Sequence, residues 1–347
     1  MRIPFANVLK LRPVIEIDLR WRDFVSALFC IIRPKHTEQP WPQPGSQTCF
    51  SVRSGFNQLL STLELPHGSE VILGPITIPD MVSIISANGL TPKFVDLDPK
   101  TYGPCANMIE ASLNENVKAI LVTQLFGRHF SLEPIAQKIK DQDIFLIEDC
   151  AQAFDGNYKG SSFANACIFS FGPIKKHTAL GGGKVFVREE SIGKHLEASL
   201  KKLPRVSEIW FLKQIFKYAF LKILSSPPFY GFLNQLAKNM KIEPDKLLYK
   251  LSRSFGGAEL NQKLKFQLPE GANAFLNKRL SLLIEQQDLF NKKPWVKIVQ
   301  TPNRQLFVRE CHKKGISASV QLGSIRCLSP KGACPNAEDI LQSIAFQ

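Results

Sequence analysis

From Arg53 to Cys150 the chain alternates segments of helical spacing with short runs rich in β-branched and aromatic residues. "RSGFNQLLSTLEL" is followed by "EVILG", "PDMVSIISANG" by "PKFVDLD", "NMIEASLNEN" by "VKAILVTQLFG", and "SLEPIAQKIKD" by "DIFLIEDC". A strand that reaches the next strand through a helix must cross over one face of its sheet. Repeated alternation therefore predicts a mainly parallel sheet with helices on both faces. In open sheets of this kind ligands lie beyond the carboxyl ends of the strands, which points to the residues after "VILG", "LVTQLFG" and "FLIED". Asp149 stands at the last of these ends.

Outside this block the pattern is less regular. Residues 1–45 read as an N-terminal extension with a helix at "WRDFVSALFCII", 46–250 as a large domain, and 251–347 as a smaller C-terminal domain. "EIWFLKQIFKYAFLKIL" predicts a helix over 208–224, stopped by "SSPP". Burial against the domain or a partner, and weak contact with a membrane surface, are both open for it. No stretch approaches the roughly 20 apolar residues of a spanning helix. The first residues lack the pattern of a secretion signal, and the expected location is cytoplasmic.

The formal charge of +14 leaves three partners open: nucleic acid, anionic lipid and phosphorylated small molecules. Much of the excess falls between Lys201 and Lys265, as single lysines on helix-like segments without aromatic platforms or a recognition helix. That reads as solvated helix faces rather than a nucleic-acid site. The eight cysteines are scattered, with neither a zinc spacing nor a disulfide framework. Cys311 with His312, and Cys327 with Cys334, come nearest to a ligand set, and no metal is expected.

The stretch "FSFGPIKKHTALGGGKVFV" sets Lys175 and Lys176 between an apolar approach and three glycines. A nucleophilic lysine must be partly neutral, through desolvation or a nearby positive charge. Glycines 181–183 either let the backbone pass close to something bulky or form a tight turn before the strand "KVFV". In "RSGFNQLL" a glycine at a helix start offers backbone N–H groups to an anion. A phosphate anchor, the carboxylate of Asp149 and an imine-forming lysine are together the three fixtures that pyridoxal phosphate requires.

These segments, with "PKFVDLDPKTY", "IEDCAQAF" and "YKG", resemble the DegT/DnrJ/EryC1/StrS family of sugar aminotransferases from about Arg53 to about Glu190. The resemblance implies a fold type I aminotransferase-like α/β fold with a smaller, abbreviated α+β C-terminal domain whose first strand begins at Trp295, pyridoxal 5'-phosphate as cofactor, and a homodimer. It implies transfer of an amino group from a donor such as glutamate to a nucleotide-linked keto-sugar. By the same resemblance Lys175 carries the cofactor and Asp149 pairs with the pyridine nitrogen, while the adjacent Lys176, read from the residues alone, supplies the like charge that keeps Lys175 neutral. Gln152 lies on the ring-hydroxyl side, while Ser170, Gly55 and Phe56 bind the phosphate. Ile78 stands where many members stack an aromatic ring on the cofactor, and Gln124 where a histidine is common. Two alternatives stay open: a non-catalytic binding or assembly partner, for which Ile78 and the abbreviated C-terminal region argue, and a sugar dehydratase; the retained lysine favours transamination.

Overall fold

The computed structural model describes residues 7, 9–14, 16–34, 41, 44–239, 264–285, 296–322 and 325–347. An N-terminal helix, α1 (Trp21–Ile32), is followed by β1 (Gln47–Cys49), α2 (Val52–Thr62), β2 (Glu70–Leu73), a short β3 (Ile76–Thr77), α3 (Pro79–Ala87) and β4 (Thr91–Phe94). Then come α4 (Ala106–Ser112), β5 (Val117–Thr123), α5 (Glu133–Ile139), β6 (Phe145–Asp149), β7 (Ala166–Ser170), β8 (Gly183–Val187) and α6 (Glu190–Lys202). The alternating block thus folds as its pattern predicts.

Seven strands form one sheet in the order β1-β8-β7-β6-β5-β2-β4. Strands β4, β2, β5, β6 and β7 pair in parallel, and β8 runs antiparallel to both β7 and β1. Successive side chains enter opposite cores: Ile120, Val122, Cys167 and Phe169 on one face, Ala119, Leu121, Ala166 and Ile168 on the other. Burial on both faces explains why these strands read as continuous apolar runs.

Two of the expected strands end early. "PKFVDLD" stops pairing at Phe94, because Asp98 accepts the N–H groups of Lys100 and Thr101, each at 2.8 Å, and turns the chain. "VKAILVTQLFG" stops at Thr123 and enters a short turn in which Phe126 takes a left-handed φ of 58°.

On one side of the sheet α1 packs with α7 (Glu208–Leu224) and α9 (Glu270–Glu285), while α8 (Pro227–Asn239) packs on α7. Arg279 of α9 reaches Asp23 of α1 at 3.3 Å and donates to the Asp18 carbonyl at 3.1 Å. Phe24, Ala27 and Cys30 join the main core, so α1 is built into the large domain rather than appended to it. The expected boundary at 250–251 lies outside the described residues.

Toward the C-terminus, β9 (Ile298–Gln300), α10 (Arg304–Lys313), β10 (Arg326–Cys327), α11 (Pro335–Ser343) and β11 (Ile344–Phe346) make a small α+β unit. β11 pairs with β9 and β10 with β3, both antiparallel. Trp295, the expected start of the first strand, lies outside the described residues. The unit shares a core with the large domain through Leu97, Tyr102 and Phe126. Asp96 fastens it further: the buried carboxylate accepts the Asn336 and Ala337 N–H groups at the start of α11, both at 2.9 Å. All eight cysteines are free thiols. Among the described residues no helix is long and apolar enough to cross a membrane.

Candidate active site

The carboxyl edge of the sheet gathers the residues picked out in the sequence. β6 delivers Asp149, held in register by Thr123 on β5 and Ile168 on β7. The side chain is buried, and its Oδ1 accepts the Ala151 N–H at 2.9 Å. Burial pushes this carboxyl above its ordinary range, against the pull of the Ala151 N–H, the charge of Lys175 and the Thr123 hydroxyl.

β7 ends at Ser170, and the chain then turns, with the Lys175 N–H donating to the Gly172 carbonyl at 2.9 Å. Loss of solvent pushes the Lys175 ammonium down to about 8; the charge of Asp149 opposes the shift and that of Arg53 adds to it. The helping cation is therefore Arg53, on the first turn of α2, and not Lys176. Lys176 is itself pushed down by burial and faces Asp155 and Asp18, because the turn sends the two lysines toward different surroundings. Arg53 is held by Asp80 of α3, with Nε and Oδ2 2.5 Å apart.

Ser170 is 8 % exposed, and among the described residues its hydroxyl makes no hydrogen bond. A hydroxyl in that state suits an added oxyanion. The start of α2 differs from its expected form. Ser51 and Ser54 cap the helix reciprocally, at 3.2 and 2.9 Å, and the Gly55 N–H donates to the Ser51 carbonyl at 3.0 Å. A Cβ on Gly55 would lie 2.5 Å from Val185 and 2.7 Å from the Cys49 sulfur. Gly55 thus serves close helix-on-sheet packing, and Phe56 is fully buried. Gly183 belongs to the same approach, since its Cβ would meet the Val52 nitrogen at 2.7 Å.

Ile78 precedes α3 as its N-cap and packs, partly buried, on the second core. Gln152 accepts the N–H of the left-handed Phe126 at 2.9 Å, while its amide NH2 makes no hydrogen bond among the described residues. Gln124 is structural: it bonds the Phe130 backbone through both N–H and carbonyl at 3.0 Å and donates to Glu148 at 2.7 Å. Glu148 is wholly buried and also accepts from the Tyr158 hydroxyl at 2.5 Å and the Ser161 N–H at 2.6 Å. His177, at a positive φ of 57°, ties the lysine loop to the N-terminal segment, its N–H donating to Asp18 at 2.7 Å.

Arg53, Thr123 and Glu148 escaped the sequence reading. Arg53 lies inside the quoted "RSG" and Glu148 inside "IED", but neither motif says which way its side chain turns. What the edge holds is a lysine whose ammonium is pushed down, a buried carboxylate that acts on its charge, a second cation, and an unbonded hydroxyl. That set fits a phosphorylated pyridine aldehyde: Lys175 for the aldehyde, Asp149 for the ring nitrogen, Ser170 for the phosphate.

Residues 45–203 match the model of the DegT/DnrJ/EryC1/StrS aminotransferase family. The chain is 35% identical to GDP-perosamine synthase of Escherichia coli O157:H7 over 136 residues, 38% of this chain and 37% of that protein. It is 29% identical to UDP-2-acetamido-2-deoxy-3-oxo-D-glucuronate aminotransferase of Pseudomonas aeruginosa over 184 residues, 52% of this chain and 46% of that protein. The chain thus spans less than half the length of these relatives. The crystal structure of the sugar aminotransferase CalS13 from Micromonospora echinospora superposes with a TM-score of 0.65 at 16% identity, over 97% of this chain and 94% of that one. Over residues 45–203, then, the chain is similar to the DegT/DnrJ/EryC1/StrS aminotransferase family, and its fold is that of a solved sugar aminotransferase.

Proposed function

We propose that the chain is a pyridoxal phosphate-dependent aminotransferase that moves an amino group from an amino acid such as glutamate to a nucleotide-linked keto-sugar. The observation that carries this reading is the pairing of Asp149 with a Lys175 whose ammonium is pushed down to about 8. Near neutral pH such a lysine has an appreciable neutral fraction and can attack an aldehyde, which an ordinary surface lysine does poorly. The names of the relatives support the substrate class.

Lys175 would hold the cofactor and would carry the proton to and from the donor's α-carbon. Asp149 would keep a proton on the ring nitrogen, and Ser170 would hold the phosphate, Arg53 adding positive charge nearby. When bound, the cofactor supplies the electron sink that makes the α-proton removable. Gln152 would present its amide NH2 to the ring hydroxyl, and Ile78 an aliphatic surface to the ring. The second half-reaction reverses these proton movements on the keto-sugar. A homodimer is part of this reading, by family resemblance.

The test is an absorbance spectrum of the purified protein with pyridoxal phosphate, followed by borohydride reduction and peptide mass mapping. A visible band and an adduct confined to Lys175 support the reading, and amino donors are then screened against nucleotide keto-sugars. An adduct spread over surface lysines, unchanged in Lys175→Arg, would sink it.

A further inference from the structure

Helices α1, α7 and α8 lie in the stretches flanking residues 45–203, outside the family-matched segment. Each turns one side to the core and exposes large apolar side chains on the other. α1 exposes Trp21 and Phe29, α7 exposes Phe216 and Phe220, and α8 exposes Phe229 and Phe232, between 51% and 69% accessible. α7 meanwhile buries Phe211, Ile215 and Leu221, so it is apolar on both sides. A helix of that kind needs cover on its outer side as well, and a protein seldom leaves so much aromatic surface to water without a use for it.

The charge on these helices selects the occupant. Their exposed residues include Arg22 and Lys213 and no carboxylate. Asp23, the acid of α1, is buried against Arg279 at 3.3 Å, and Glu208 of α7 takes the Gly271 N–H at 2.8 Å. A second copy meeting this side about a two-fold axis would set cation against cation. An anionic bilayer surface offers negative headgroups to the cations and an acyl boundary to the aromatic rings.

We propose that α1, α7 and α8 dock this protein on an anionic lipid surface, lying in the interface without crossing it. The inference is independent of the catalytic reading, since it uses none of the residues at the carboxyl edge of the sheet.

The experiment is sedimentation of the full chain with vesicles of phosphatidylcholine alone and of phosphatidylcholine mixed with phosphatidylglycerol, at low and high salt. Wild type should sediment with the mixed vesicles and be released by salt. The triple variant Phe216→Ser, Phe220→Ser, Phe232→Ser should lose at least about tenfold in partitioning. Arg22→Gln with Lys213→Gln should weaken low-salt binding and flatten its salt dependence. Circular dichroism confirms that the variants fold, because the replaced side chains lie outside the core. Failure of wild type to bind the mixed vesicles, or equal binding by the triple variant, overturns the proposal. So does a wild-type dimer that the triple variant dissociates, which would give this surface to a second copy.

Discussion

Asp149 and Lys175 act as each other's counter-charge in a setting where burial drives both toward their neutral forms. The carboxyl is pushed up and the ammonium down by the same loss of solvent, and each is partly restored by the other. A group added between them that carries a proton on one side and an electrophilic carbon on the other would meet both needs at once. The site is therefore tuned as a pair, and its members should be tested as one.

Labelling of Lys175 by an amine-reactive reagent, followed by mass spectrometry across a pH series, should show a midpoint near 8, below the ordinary 10.5. Between those two values the unfolded chain keeps a proton that the folded one has released, so this group's contribution to stability rises with pH across the window. A midpoint at the ordinary value would remove the basis for a nucleophilic role.

Asp149→Asn should move the Lys175 midpoint lower still, because the charge of Asp149 is what opposes desolvation. Pyridoxal phosphate binding should weaken by about tenfold or more as the charge partner of the ring nitrogen is lost, about 1.4 kcal/mol per decade. Titration of the cofactor by absorbance reads the second effect independently of the first.

Arg53→Gln should raise the Lys175 midpoint, whereas Lys176→Gln should leave it in place. The comparison separates the charge that acts on the nucleophile from the one that merely adjoins it in sequence. An upward shift from Lys176→Gln alone would reverse the assignment.

Asp96→Ala removes the acceptor shared by Asn336 and Ala337 at the start of α11. The loss should cost about 1–2 kcal/mol, the range for a removed helix cap. Hydrogen exchange should show faster opening of α11 with the amides of β5 and β6 unchanged, since the contact lies between the large domain and the small unit.

The central sheet was legible because its strands are buried on both faces and its helices show one apolar stripe each, so period and composition agreed. Helix α7 was located from its apolar run and its "SSPP" stop, matching the observed Glu208–Leu224. The place of Lys175 beyond the end of β7, at the carboxyl edge of the sheet, was readable from the order of the motifs. The source of the assisting charge was not, because Arg53 and Lys175 are brought together by packing of α2 against the sheet. Gly55 shows the same limit: a glycine at a helix start can mean an open amide or a close crossing, and only the positions of Val185 and Cys49 decide. Gln124 looked like a departure at the site, yet it serves the loop beneath it.

Glu148 and Asp149 are neighbours on β6, and the pleat assigns them opposite fates. The first faces Tyr158, Gln124 and Ser161, which together saturate it; the second faces Lys175. The division of labour between the two acids is a matter of parity, odd against even along one strand. Sliding β6 by a single position against β5 and β7 would exchange them, leaving a carboxylate among apolar walls and a loop without its anchor. The two flanking parallel strands therefore guard the chemistry as much as the architecture, by making that slip unaffordable on both sides at once.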